Sequence, residues 1–265
     1  MPDERTYPAF AASRVPHVGT YRRVLPVSLE RLYENVLDWE HLPHVHARSF
    51  ASIECEDAGV WGWRARVSDA NGRALAIEVR LDRECRRWIT RTLSGADAGG
   101  EIWTHAFPIA PRRTDIVVDV FVPGVASDDR ARLGVAYARL YRQLYDEDVA
   151  MMTERQRQID LRVETQRSGI ALELGAVDTL KLPAQVEFDG RAYIVANGAQ
   201  GLVVHVARCP HQLGPLLPAV DGVVRCPWHG YRFAADTGEC LTGQSCRLPP
   251  APRVSVRGGV VRLER

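Results

Sequence analysis

No apolar run in this 265-residue chain approaches the roughly 18 residues that a membrane-spanning helix requires. The first residues, Met1-Pro2-Asp3-Glu4-Arg5, lack the basic stretch followed by an apolar one that marks a secretory signal. A surplus of either charge is missing too. Lys+Arg number 34 and Asp+Glu 33, a formal net charge of +1, which argues against nucleic acid or an anionic membrane as the main partner. Cysteine is scarce: six residues are too few for a disulfide scaffold. These absences predict a cytoplasmic chain with reduced thiols. The few cysteines are unevenly spread. Cys55 and Cys85 lie in the first half, and Cys209, Cys226, Cys240 and Cys246 crowd into a late segment.

The length predicts one large domain or two modest ones, and the patterning favours two. Val18–Val27 reads as extended. Ser28 is a candidate N-cap, with Arg31 where a capping box would have Glu, and Leu29, Leu32, Tyr33, Val36 and Leu37 follow at helical spacing. Pro43 is expected to end or kink this helix. Six candidate strands alternate with period two: Ser49–Glu56, Val60–Val67, Ala74–Leu81, Arg87–Leu93, Glu101–Pro108 and Asp115–Val122. Asp69-Ala70-Asn71-Gly72 and the glycines from Gly95 to Gly100 supply turns. A long helix is predicted from Ser127 to about Arg162, and a linker over Glu164–Ala176. Beyond it, dense Pro and Gly and short strands (Val186–Phe188, Arg191–Ala196, Leu202–Ala207, Val223–Arg225, Val254–Val256, Val260–Leu263) predict a small all-β module.

That module carries the sharpest chemical signal. Cys209-Pro210-His211 and Cys226-Pro227-Trp228-His229 make C-x-H, 14 residues, then C-x-x-H. Two thiolates and two imidazoles could hold zinc, but zinc fingers usually pair cysteine with cysteine and histidine with histidine. Here each half supplies one of each, which suits a [2Fe–2S] cluster with both cysteines on one iron and both histidines on the other. The loops from Cys209 to Leu216 and from Cys226 to Phe233, then Asp236-Thr237-Gly238-Glu239-Cys240, closely resemble the cluster-binding loops of Rieske proteins. The resemblance implies Cys209 and Cys226 on one iron, and His211 and His229 on the other. The extra loop cysteines of respiratory Rieske proteins are missing, so the oxygenase or ferredoxin type is the better match. Cys240 and Cys246 are left over and are expected to serve in packing.

A second signal lies in the first helix, where His41, His44 and His46 fall within six residues. Glu34, Asp38 and His41 share one helical face. On an unbroken helix His41 and His46 would point about 140° apart; a break at Pro43 lets them converge on one ion. Two neutral imidazoles suit iron and need a carboxylate to complete a facial triad. The pattern E-N-x-x-D-x-x-H-x-x-x-x-H resembles the mononuclear-iron motif of Rieske non-heme iron oxygenases. It implies His41 and His46 as iron ligands and Asp38 as the acidic bridge for electrons arriving from a neighbouring subunit's cluster. His44 matches no ligand of the family. Asp148 is the candidate third ligand. It lies in phase with Tyr137, Tyr141, Leu144 and Met152 on an apolar stripe, where an unpaired carboxylate is costly, and its segment resembles the one carrying this aspartate in demethylase-like members. By the same helical phase, Asp146 points away and Glu147 sideways; Asp160 is a weaker alternative.

Together these readings predict an α+β chain. Residues 1–165 form a START-like helix-grip catalytic domain with antiparallel sheet and long C-terminal helix, and residues 177–265 a small all-β Rieske domain. The strand aromatics Trp61, Trp63, Trp88, Trp103, Phe107 and Phe121 are mostly expected in the core. The resemblance implies a mono- or dioxygenase with a [2Fe–2S] cluster and a mononuclear Fe(II). It would use O2, a small aromatic or apolar organic substrate, and electrons from NAD(P)H through a separate reductase or ferredoxin, in a homo-oligomer that family likeness makes a trimer. The order is unusual, since typical oxygenase α-subunits place the Rieske module first. The rival reading is a Rieske electron carrier fused to a START-like ligand-binding domain without catalytic iron.

Overall fold

The computed structural model describes residues 15–95, 98–164, 170–198 and 201–264. Its chain divides into two compact units, Met1–Thr153 and Glu154–Arg265.

In the first unit, seven antiparallel strands form one sheet: β1 (His17–Leu25), β2 (Phe50–Gly59), β3 (Gly62–Asp69), β4 (Ala74–Asp82), β5 (Arg87–Thr92), β6 (Glu101–Ala110) and β7 (Arg113–Phe121). The order is β1-β7-β6-β5-β4-β3-β2. Strands β2 to β7 are thus the expected meander, and β1 closes against its far end, with Thr20 opposite Asp119 and Arg22 opposite Val117. β3 starts later than its alternation implied, because Val60 and Trp61 make the turn from β2. Asp69 caps the next turn as expected, its carboxylate accepting from the Asn71 and Arg73 amides at 2.9 Å each.

Helix α1 (Leu29–Leu37) begins where predicted, with Ser28 Oγ accepting from the Arg31 amide at 3.3 Å. It ends earlier than predicted. Asp38 leaves helical geometry (φ −86°, ψ 83°), well before Pro43. A 3-10 turn, Trp39–His41, and a short helix α2 (Leu42–Val45) follow, and Pro43 sits in the first turn of α2, where a missing N–H costs no hydrogen bond. The break that redirects the histidines is therefore at Asp38, and Glu34, Asp38 and His41 do not share one continuous helical face. Glu34 instead pairs with Arg31 at 2.6 Å.

The long helix α3 (Ser127–Glu164) packs Tyr145 and Met152 into the core with Leu25, Leu32, Ile116 and Val118; each fully buried side chain of this kind contributes about 1.5–3 kcal/mol. Trp63 and Trp88 are core residues as expected, but Phe107 is half exposed. α3 meets β1 at two glycines. A Cβ on Gly134 would lie 2.3 Å from the Val18 carbonyl oxygen, and one on Gly19 would lie 2.9 Å from the Gly134 Cα. Backbone cannot yield there as a flexible side chain would. Gly134→Val is expected to destabilise by about 1–3 kcal/mol, as overpacking does, and to show as a lowered Tm in thermal unfolding. A sheet folded around one long helix in this way is the expected START-like helix-grip architecture.

The second unit is all-β beyond the end of α3: β8 (Ala171–Ala176), β9 (Ala184–Phe188), β10 (Arg191–Gly198), β11 (Gly201–Val206), β12 (Val223–Arg225), β13 (Arg232–Ala234), β14 (Arg253–Arg257) and β15 (Val260–Glu264). Its sheets are ordered β11-β10-β9, β12-β13 and β14-β15-β8. β8 falls inside the predicted linker. Leu172 and its neighbours pair with the C-terminal strand, a long-range partner that local pattern does not reveal. Part of the linker prediction, 165–169, lies outside the described residues.

Candidate metal centre and cluster loops

His41, His46 and Asp148 meet in the first unit, each buried, with their ligand atoms within 4.8 Å of one another. The carboxylate comes from α3; the imidazoles come from the end of the 3-10 turn and the C-cap of α2. Asp148 Oδ1 stands 3.0 Å from His46 Nε2 and 3.4 Å from His41 Nε2. The opposite nitrogen of each ring is anchored. His46 Nδ1 lies 2.7 Å from Glu147 Oε2, and His41 Nδ1 hydrogen-bonds the Asp38 carbonyl. Nδ1 of each ring is held by an acceptor, so a neutral imidazole that donates there could offer its Nε2 lone pair to a metal at the shared point, the arrangement in which outer partners orient metal-binding imidazoles. Without an ion, the Nε2 atoms face the Asp148 carboxylate as donors. Asn35 Nδ2 donates to Asp148 Oδ1 at 3.0 Å. Two imidazoles and one carboxylate on one side of a point fit a metal with open positions, the donor set of non-heme iron.

Electrostatics follow from this geometry. Burial works against the Asp148 charge, yet hydrogen bonds and charge from His41 and His46 hold its carboxyl far below the ordinary range. Burial likewise opposes a charged His46, but Asp148 and Glu147 outweigh it and raise the imidazole pKa. The Tyr141 and Tyr145 phenols, desolvated along the same helix, are pushed well up and stay neutral.

The remaining predicted residues separate clearly. The Asp38 side chain is buried, its Oδ2 3.7 Å from His41 Nδ1. His44 lies outside the cluster. Asp146 faces away and pairs with Arg23 at 2.5 Å. Asp160 accepts from Gln156 at 3.0 Å and is not in the cluster. Glu147 is what the sequence reading missed: it is held by Gln143 at 3.2 Å and itself holds His46. No local signal marked it, since one residue before Asp148 on α3 its side chain points about 100° away and reaches His46 only through the packing of α3 against α2. If the cluster holds a metal ion, Glu147→Ala is expected to weaken that binding by about 10- to 100-fold, the usual effect of losing an outer partner, measured by anaerobic titration with Fe(II); Glu147→Gln, which still accepts from Nδ1, should retain most of it.

In the second unit the four predicted cluster residues are brought together on two loops. The loop that carries His211 is closed by Cys209 N to Gly214 O at 2.9 Å and Leu213 N to Cys209 O at 3.0 Å. The other is fixed by Cys226 N to Tyr231 O at 2.8 Å and Gly230 N to Cys226 O at 3.0 Å. Cys209, Cys226 and His229 are buried and His211 is exposed. The two imidazole rings are 4.5 Å apart, and Tyr231 stacks on His211 at 4.8 Å. Hydrogen bonds from the Cys209 thiol and from His229 hold Cys226 below the ordinary thiol range against its burial. A Cβ at Gly214 would stand 2.8 Å from the Trp228 ring and 3.1 Å from Cys226 Sγ. Bare backbone therefore keeps the space beside this sulfur open. Two adjacent sulfurs, two adjacent imidazoles and that cradle fit a histidine-ligated [2Fe–2S] cluster.

Comparison with known proteins bears on both units. Residues 171–252 match the family model described as the Rieske [2Fe-2S] domain. No curated protein matches the chain in sequence. Among solved structures, a START superfamily protein from Mycobacterium smegmatis is 15% identical with a TM-score of 0.43, over 52% of this chain and 98% of its own. The Zhui aromatase/cyclase from Streptomyces sp. R1128 is 16% identical with a TM-score of 0.44, over 53% and 95%. Norcoclaurine synthase from Thalictrum flavum is 14% identical with a TM-score of 0.40, over 51% and 85%. None of the described helices is long and apolar enough to cross a membrane. The chain carries a Rieske [2Fe-2S] domain at residues 171–252, preceded by a helix-grip unit.

Proposed function

We propose that this chain is a Rieske-type oxygenase. Cys209 and Cys226 hold one iron of the cluster and His211 and His229 the other. His41, His46 and Asp148 hold a mononuclear Fe(II). When bound, the cluster supplies one-electron transfer and the Fe(II) supplies O2 activation for hydroxylation or demethylation of a small aromatic or apolar substrate. The observation that carries the reading is the convergence of both Nε2 atoms on Asp148 with both Nδ1 atoms anchored.

The protein's own groups divide the work. Glu147 and the Asp38 carbonyl fix the imidazole tautomers. Asn35 orients the Asp148 carboxylate. The apolar core around Tyr145 and Met152 limits water at the site, and Asp38 is the electron bridge to His41. The exposed edge of His211 is where electrons enter or leave the cluster. A separate NAD(P)H-linked reductase or ferredoxin is the donor, the working form is a homo-oligomer, by family likeness a trimer, and free thiols suit the cytoplasm.

Iron quantification with EPR on anaerobically purified protein tests this. The oxygenase has about three irons per chain, two in the cluster and one apart. One observation favours the electron-carrier reading: Asp148 is already satisfied by Asn35 and the two histidines without an ion. That reading expects about two irons, all in the cluster.

A further inference from the structure

Cys240 and Cys246 lie in the loop between β13 and β14, and neither belongs to the cluster set. The backbone sets them against each other. Glu239 pairs with Arg247 in an antiparallel bridge, and Leu248 N donates to Gly238 O at 2.8 Å. The next pair in that register is Cys240 and Cys246. Residues opposed in this way have Cα atoms about 4.5–5.5 Å apart, inside the roughly 4.4–6.8 Å that a disulfide spans. The Cys240 thiol lies 3.3 Å from the Thr242 hydroxyl and 3.4 Å from Gln244 Oε1, both within the turn that joins the two cysteines, and Cys240 and Cys246 each bear on the other's charge. The frame is firm: Cys240 bridges Phe233, Leu241 N donates to Arg232 O at 2.7 Å, and the Arg247 guanidinium donates twice to the Thr237 carbonyl, at 3.1 and 2.8 Å.

The two sulfurs are not equivalent. Around Cys240 the Thr242 hydroxyl, 3.3 Å away, joins the Thr242 and Gln244 amides and the Cys246 thiol as partners. Despite burial, these favour its thiolate, the reactive form of cysteine. Burial and the neighbouring Cys240 push the Cys246 thiol the other way. Cys246 also lies within electrostatic reach of both Cys209 and Cys226, so the pair stands beside the cluster loops. Both residues are partly exposed.

We propose that Cys240 and Cys246 form a peroxide-oxidisable dithiol, with Cys240 as the attacking sulfur and Cys246 as the resolving one. The Cys240 thiolate attacks one oxygen of hydrogen peroxide. The O–O bond breaks, hydroxide leaves and takes up a proton, and Cys240 becomes a sulfenic acid. Cys246 then attacks that sulfur. The S–S bond forms, the S–O bond breaks and a second water leaves. Two thiols and one peroxide give one disulfide and two waters, the two electrons passing from sulfur to oxygen. A thiol reductant reverses it. This inference does not depend on the oxygenase reading.

Tryptic cleavage after Arg232 and Arg247 puts both cysteines on one peptide, Phe233–Arg247. The holoprotein is treated with hydrogen peroxide, denatured in iodoacetamide and mapped by mass spectrometry. The expected peptide is unalkylated and two hydrogens lighter, and it takes two alkyl groups after dithiothreitol, while exposed Cys85 stays alkylatable. In Cys246→Ser, Cys240 is expected to accumulate a dimedone adduct; in Cys240→Ser, Cys246 is not. Full alkylation of both cysteines at a peroxide dose that bleaches the cluster overturns the proposal, as does a disulfide from either to Cys209 or Cys226. If a variant loses its cluster on purification, the native peptide map decides alone.

Discussion

If the chain is the oxygenase proposed above, Asp148→Ala is expected to remove about one iron per chain, from about three to about two, and to leave the visible absorbance of the cluster unchanged. Its physical basis is the donor set. Without the carboxylate, two imidazoles remain on a point that needs a facial triad. Loss of an outer partner alone costs 10- to 100-fold in metal affinity, so loss of a ligand is expected to cost at least about 100-fold. The high-spin EPR signal that nitric oxide gives with mononuclear Fe(II) should vanish with it. Stability falls as well. His41 and His46 lose the acceptor at 3.4 and 3.0 Å, and a buried polar group left unpaired costs about 1–3 kcal/mol. Asp148→Asn separates the two effects, because it keeps a hydrogen-bonding side chain but loses the charge. Retention of three irons and the nitric oxide signal in both variants would contradict the assignment of Asp148, and with it the oxygenase reading.

Cys226→Ser is expected to abolish the cluster. The Cys209 thiol and His229 beside Cys226 hold its thiol below the ordinary range. A serine hydroxyl titrates far above that and is a hard donor where the cluster takes soft ones. Iron should fall to about one per chain, the mononuclear ion alone, with loss of the brown colour and of the histidine-ligated EPR signal. Because binding of such a group adds to folding free energy, unfolding of the second unit should move to lower temperature while the first holds its own. A full cluster signal in Cys226→Ser would remove this cysteine from the ligand set.

The contrast between the two sites explains what could be read from sequence. The cluster loops are local: Cys209 and His211, and Cys226 and His229, lie on short turns with Pro and Gly at fixed offsets, so spacing alone brings each pair together. The facial triad was half legible. His41 and His46 announced themselves by proximity, and Asp148 by a carboxylate on an apolar stripe. Why they converge was misread, because the chain turns at Asp38, whose backbone leaves the helix with no proline to mark it. Glu147 stayed hidden because its role depends on how α3 faces α2 across a hundred residues of meander. β8 was missed for a similar reason: its pairing with β15 is long-range, and its Gly175-Ala176 end resembles a linker.

The sheet order also governs how the protein is made. β1 emerges from the ribosome before the other strands of its sheet, yet its partner β7 is the last of them, so Thr20 waits for Asp119. Contacts of that sequence separation form slowly, since the intervening chain must be closed into a loop first. At roughly 5–20 residues per second, synthesis leaves β1 without its neighbour for several seconds. Its outward Val24, 43% exposed even in the finished fold, and its row of unpaired amides are then a template for the wrong strand. Slower translation through the β2–β7 meander would lengthen that interval, and a chaperone that covers the nascent β1 would protect yield more than one that acts on the finished chain.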